Sequence, residues 1–121
     1  IDAERAAAAR QVFADVPNVT VLHGHADDVY ARAPFDVLVM DGGPGAGKDG
    51  QTRIEPAEML RDGGIMTIDD LTPFTGWPPV WNGEVDSART HWVDHPELLT
   101  TEIQVAPDIA VMVCRRTVGL R

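Results

Sequence analysis

Two stretches decide how this chain folds: Phe35-Asp36-Val37-Leu38-Val39-Met40-Asp41 and Ile65-Met66-Thr67-Ile68-Asp69-Asp70. Each is a short apolar run closed by acid. The first is nearly continuous in apolar side chains, the signature of a strand buried on both faces. Between them lie a glycine-rich loop from Gly42 to Gly50 and a predicted helix from Ile54 to Leu60. Pro56 is tolerable in that helix's first turn, and Gly63-Gly64 reads as its stop. A strand, a helix and a second strand in that order predict a βαβ unit with parallel neighbours.

The pattern extends in both directions. Asp2 can cap a helix in which Ala6, Ala9, Val12 and Phe13 recur at helical spacing, and Pro17-Asn18 stops it. Val19 to Leu22 reads as a short β-branched strand, and Asp27 to Ala33 as a short helix ended by Pro34. On the other side, a long loop from Leu71 to Gly83 carries three prolines and two tryptophans. Asp86 opens a helix running to about Val93. Leu99 to Val105 and Ile109 to Cys114 then read as strands joined by Ala106-Pro107-Asp108, too short a link for anything but an antiparallel hairpin. The expected fold is a single α/β domain over residues 1–121, with a mostly parallel sheet and a C-terminal antiparallel hairpin.

Bulk properties narrow the partners. The chain has 121 residues, 44% of them hydrophobic, which is enough for one core. Ten Lys and Arg stand against 19 Asp and Glu, a net charge of −9. A surface that tracks phosphates needs a basic face, so neither nucleic acid nor an anionic membrane is an expected partner. No apolar run approaches the ~20 residues that span a bilayer. The N-terminal Ile1-Asp2-Ala3-Glu4-Arg5 has no basic segment of the signal-peptide kind, and Cys114 is the only cysteine. A reducing, cytoplasmic setting is therefore expected.

In open α/β sheets, ligands bind beyond the carboxyl ends of the strands. Asp41, Asp69 and Asp70 fall at such ends. If the two strands are parallel neighbours, three carboxylates converge, and they repel one another unless a cation or a positive ligand sits among them. All-oxygen ligation favours Mg2+ or Ca2+ over zinc. His91 and His95 are four apart with no third ligand in view, which argues against a zinc site. Trp77 and Trp81 serve either as an aromatic wall for a substrate or as core cover, and Trp92 reads as core.

At these residues the chain resembles the class I S-adenosylmethionine-dependent methyltransferases along nearly its whole length. The resemblance runs through Gly24-His25-Ala26-Asp27, the strand from Phe35 to Asp41, Gly63-Gly64, and the closing hairpin. Within that superfamily it is most similar to the cation-dependent O-methyltransferases of the catechol and caffeoyl-coenzyme A type. The resemblance implies a Rossmann-like methyltransferase sheet with cofactor contacts at Ile1, His25, Ala26, Asp27 and Asp41. It also implies metal ligands at Asp41, Asp69 and Asp70, and a small-molecule hydroxyl as acceptor. Asp70 stands where the family usually has Asn, and Pro44 where it has the catalytic lysine. Lys48, the chain's one lysine, is then the candidate base. The family's first strands and glycine-rich cofactor turn would precede Ile1, so the chain is expected to be an incomplete domain with its first strands missing. A homodimer is a further expectation.

Two other readings compete. Gly42 to Lys48 matches the phosphate-loop spacing of nucleotide kinases, but no Ser or Thr follows the lysine directly to hold magnesium. A flexible surface loop over Gly45 to Gly50 is the plainer expectation. A non-catalytic, methyltransferase-like binding module is the third reading.

Overall fold

The computed structural model describes residues 2–41, 45–48, 51–73 and 75–118. The chain divides into two compact units, Ile1–Ala33 and Pro34–Arg121. Among the described residues no helix is long and apolar enough to cross a membrane.

The first unit carries α1 (Ala3–Val12) and α2 (Ala26–Tyr30). The Asp2 carboxylate caps α1 by accepting from the backbone N–H of Arg5 at 3.0 Å. Only Ala6 of α1 is buried, while Val12 and Phe13 are exposed. The strand expected over Val19–Leu22 does not form. A strand needs a neighbour to take its backbone groups, and here those groups are used locally. The Val19 N–H bonds the Val16 carbonyl at 3.1 Å, and the Val21 carbonyl accepts from Arg10 Nε at 3.3 Å.

The second unit is built on four strands: β1 (Phe35–Met40), β2 (Leu60–Leu71), β5 (Leu98–Ala106) and β6 (Ile109–Arg116), in the spatial order β1-β2-β6-β5. β1 and β2 are parallel, as the intervening segment predicts. β2–β6 and β5–β6 are antiparallel. The sheet is thus mixed rather than mostly parallel. The remaining elements are α3 (Pro56–Met59), α4 (Ser87–Val93) and a small separate hairpin, β3 (Val80–Trp81) with β4 (Glu84–Val85).

The predicted helix over Ile54–Leu60 shrinks to the single turn of α3, because Leu60 already has the extended backbone that begins β2. Gly63 and Gly64 consequently lie within β2, where the pairing with β1 shifts register between Phe35 and Val37. Gly63 takes φ 78°, and a Cβ on Gly64 would sit 3.0 Å from the Phe35 carbonyl oxygen. Both positions call for glycine.

Register divides the main sheet into two faces. Leu38, Met66, Cys114 and Thr100 form one cross-strand row, and Met40, Ile68, Met112 and Glu102 the next. This face is covered: Leu38, Met40, Met66, Ile68, Met112 and Cys114 are buried, together with Ile54, Leu60 and Trp92. The opposite face carries Val37, Ile65 and Leu99 in one row and Val39 and Val113 in another. Val37 is 61% exposed, Val39 68% and Leu99 65%. β1 is therefore covered on one face only, not on both.

Candidate functional site

The site starts from topology. Parallel pairing of Met40 with Ile68 brings the carboxyl ends of β1 and β2 side by side. Asp41 follows β1 directly, while Asp69 and Asp70 fall near the end of β2. Carboxylate oxygens of the three lie within 4.8 Å of one another. Asp41 and Asp70 are exposed and Asp69 is half-buried. Asp69 Oδ1 is itself buried and has no hydrogen-bond partner among the described residues. Burying an anionic oxygen without a donor is costly, so a cation is the natural complement. Asp70 adopts φ 55°, a left-handed backbone that Asp and Asn tolerate better than most residues. β2 loses register with β6 between Ile68 and Leu71, at the same place. The acid pair thus sits on a deliberate irregularity of the strand.

Lys48 reaches this cluster from the glycine-rich loop. Its Nζ donates to the backbone carbonyl of Asp69 at 2.5 Å and to that of Asp70 at 3.4 Å. The expected flexible surface loop is corrected over Gly45–Lys48, because this segment is anchored. Ala46 and Gly47 are buried, the Gly45 carbonyl accepts from the Ile54 N–H at 2.8 Å, and Trp92 Nε1 donates to the Ala46 carbonyl at 2.8 Å. Positive φ at Gly45 and Gly47 (89° and 76°) lets the chain make this entry. Gly42 to Pro44, Asp49 and Gly50 lie outside the described residues. A phosphate loop needs an α-helix starting at its lysine; among the described residues Lys48 opens only a tight turn, closed by the Gln51 N–H on its carbonyl at 3.0 Å, and the next α-helix is α3 at Pro56. The lysine itself is engaged with carbonyls.

Beyond Asp70 opens a cavity of about 620 Å³, bounded by the Lys48 segment, the start of α4 and the β3–β4 hairpin. The hairpin turns on Asn82-Gly83, both at positive φ (52° and 84°), the backbone of a tight two-residue connection. Trp81, 52% exposed, lines the cavity. The floor is held by Arg89, which is 3% exposed. Its Nε faces Glu102 Oε2 at 3.2 Å and Asp86 Oδ2 at 3.7 Å, and a terminal nitrogen donates to the Thr72 carbonyl at 2.5 Å. The last bond fixes the chain just after Asp70. Arg89, Glu102 and the small hairpin are absent from the sequence expectations. The signals were there: Asn82-Gly83 between Val80-Trp81 and Glu84-Val85, and Asp86 three before Arg89 in the first turn of a helix.

The other expected site residues fall elsewhere. Ile1 lies outside the described residues. His25, Ala26 and Asp27 belong to the first unit, where His25 is the N-cap of α2 and its N–H donates to Asp28 Oδ2 at 2.9 Å. His91 and His95 meet edge to face, 5.2 Å between ring centres, beside Arg53. Among the described residues Asp41, Asp69 and Asp70 are the one group that could hold a metal ion. Burial pushes the His91 imidazole below its ordinary range, helped by the charges of Arg53 and His95 and opposed by Glu55. Trp92 is core, 1% exposed, as expected. Burial also raises the Cys114 thiol above its usual range, against a hydrogen bond with Thr100.

Comparison with protein-family models, curated proteins and solved structures finds no match for this chain.

Proposed function

We propose that this chain has the fold and activity of the class I S-adenosylmethionine-dependent methyltransferases. It would act on a hydroxyl of a small molecule with help from a divalent ion. One observation carries the reading: Asp41, Asp69 and Asp70 converge within 4.8 Å at the carboxyl edge of a parallel strand pair. The antiparallel hairpin that closes the sheet supports the Rossmann-like form of the fold.

The donor set suits a hard ion. It is all oxygen, and Oδ1 of Asp69, without a hydrogen-bond partner among the described residues, is available as a ligand. Asp41, Asp69 and Asp70 would hold the ion, which would lower the pKa of a bound hydroxyl and fix its position. S-adenosylmethionine, when bound, supplies an electrophilic methyl group. The chain's own task is alignment. Lys48 fixes the backbone of both β2 acids through their carbonyls, and Arg89 fixes the next turn through Thr72. Only as a neutral amine, which keeps two N–H donors for those carbonyls, would Lys48 take the acceptor's proton.

The test has two arms. In the first, thermal melting is followed in chelator and with added Mg2+ or Ca2+, using wild type and Asp69→Asn. Stabilisation of wild type alone is expected. In the second, methyl transfer from labelled S-adenosylmethionine is measured over hydroxyl-bearing acceptors, with Lys48→Met expected to depress turnover more than ion binding. Failure to respond to either ion would discard the metal, and absence of transfer to every acceptor would discard the methyltransferase reading.

A further inference from the structure

We infer that the cavity beside Asp70 accepts a neutral, polyhydroxylated ring of the sugar class, stacked on Trp81 and presenting neighbouring hydroxyls to the acid cluster. This rests on the proposed function for the reaction and, through its divalent ion, for the choice of a neutral ligand; the shape argument comes from the cavity itself.

Its volume of about 620 Å³ falls within the usual range for a small-molecule site. Charge decides what kind of molecule. The lining cations are Lys48 and Arg89, and both are committed. Lys48 donates to the Asp69 and Asp70 carbonyls. Arg89 lies between Glu102 and Asp86 and also holds Thr72. An acceptor bearing phosphate or carboxylate would instead meet the acids Asp70 and Glu84, both in the lining. An ammonium-bearing acceptor would be repelled by a divalent ion held at Asp70. A neutral acceptor remains.

The walls decide its shape. Trp81 is the one aromatic residue lining the cavity among the described residues, and the rest of the surface is rich in polar groups, including Gln51 and Asn82. A flat aromatic diol is best held between two aromatic faces, and the described lining offers one, Trp81. A pyranose has one C–H face to lie on an indole and a rim of hydroxyls to pair with amides and carboxylates. Asp70 belongs to the lining, so an ion held there would meet a vicinal pair of those hydroxyls.

The experiment uses the full chain with Mg2+. Saturation-transfer NMR and tryptophan fluorescence follow methyl α-D-mannopyranoside and methyl β-D-galactopyranoside, with catechol and glucose 6-phosphate as rivals. The inference expects saturable binding of a glycoside, weakened at least tenfold by Trp81→Ala and little changed by Trp77→Ala, with melting curves showing that both variants fold. Tighter binding of catechol or of the phosphorylated sugar, indifference to Trp81→Ala, or no glycoside binding would overturn it. The two ideas separate cleanly. Ion binding without glycoside binding sinks the sugar pocket alone, whereas glycoside binding that ignores the ion upholds the pocket and removes the metal from the reaction.

Discussion

Trp92→Phe offers a direct test of how the fold holds the site. The indole is 1% exposed, and its Nε1 donates to the Ala46 carbonyl at 2.8 Å, tying α4 to the segment that carries Lys48. Phenylalanine fills much of the same volume but lacks the donor. Taking the partner from a buried carbonyl costs about 1–3 kcal/mol, and the smaller ring leaves a void worth roughly 1–2 kcal/mol. A total near 3 kcal/mol corresponds to a fall in melting temperature of about 10 °C for a chain of this size. The functional consequence is more specific. With Ala46 released, Lys48 should hold the Asp69 and Asp70 carbonyls less firmly, and Mg2+ affinity should fall several-fold. The assay is a melting curve by near-ultraviolet circular dichroism together with a Mg2+ titration. Met66→Leu, a volume-conserving change in the same core, serves as the control and should leave ion affinity alone. A melting point within about 3 °C of wild type, or full ion affinity in a clearly destabilised variant, would refute the linkage from Trp92 to the acids.

Three further outcomes are expected. Asp70→Asn keeps an oxygen and a residue suited to φ 55° but removes a charge, so the protein in chelator should melt no lower while Ca2+ affinity falls on the order of tenfold by calorimetry. The folded His91 binds its proton less readily than the unfolded chain; its contribution is therefore intact above the unfolded value of ~6.5 and is lost as pH falls from there through the lower folded value. Urea titrations from pH 8 to pH 5 should show that acid-side loss diminished in His91→Asn. Finally, the apolar row through Val37 and Val39, 61% and 68% exposed, should bind a hydrophobic dye and drive concentration-dependent association; Val37→Thr with Val39→Thr should reduce both in fluorescence and sedimentation while barely moving the melting point.

Much of this arrangement was legible in the residues, and the failures have identifiable physics. β1 matches its apolar run from Phe35 to Met40, and the link Ala106-Pro107-Asp108 dictated a hairpin. The acid cluster was readable because a parallel pair places both carboxyl ends at one edge. Val19 to Leu22 misled, because β-branched residues favour a strand only where a neighbour can pair with it. The hairpin's faces were the harder problem. In β5, alternation would turn Leu99, Ile103 and Val105 toward the core, yet all three are exposed, and Thr100 and Glu102 share the covered face with Cys114 and Met112.

That inversion has a cause in the same network that shapes the cavity. Glu102 pairs with Arg89 at 3.2 Å, with both side chains largely buried (13% and 4% exposed). A charge there is tolerable only when paired, so the Glu102 face of β5 must turn toward α4. Period two then sends Leu99, Ile103 and Val105 to the other side. The same guanidinium bonds the Thr72 carbonyl, two residues beyond Asp70. One arginine therefore links the orientation of β5, the position of α4 and the turn that follows the acids. Breaking the pair from either end should separate these effects. Arg89→Met leaves Glu102 without its cation and also frees Thr72, so both stability and Mg2+ affinity should fall. Glu102→Gln keeps Arg89 paired with Asp86 and bonded to Thr72, so stability should fall by about 1–3 kcal/mol with ion affinity nearly unchanged. Melting and Mg2+ titration of the two variants side by side check this. Equal losses of ion affinity would mean that Arg89 acts through general stability and not through the Thr72 turn.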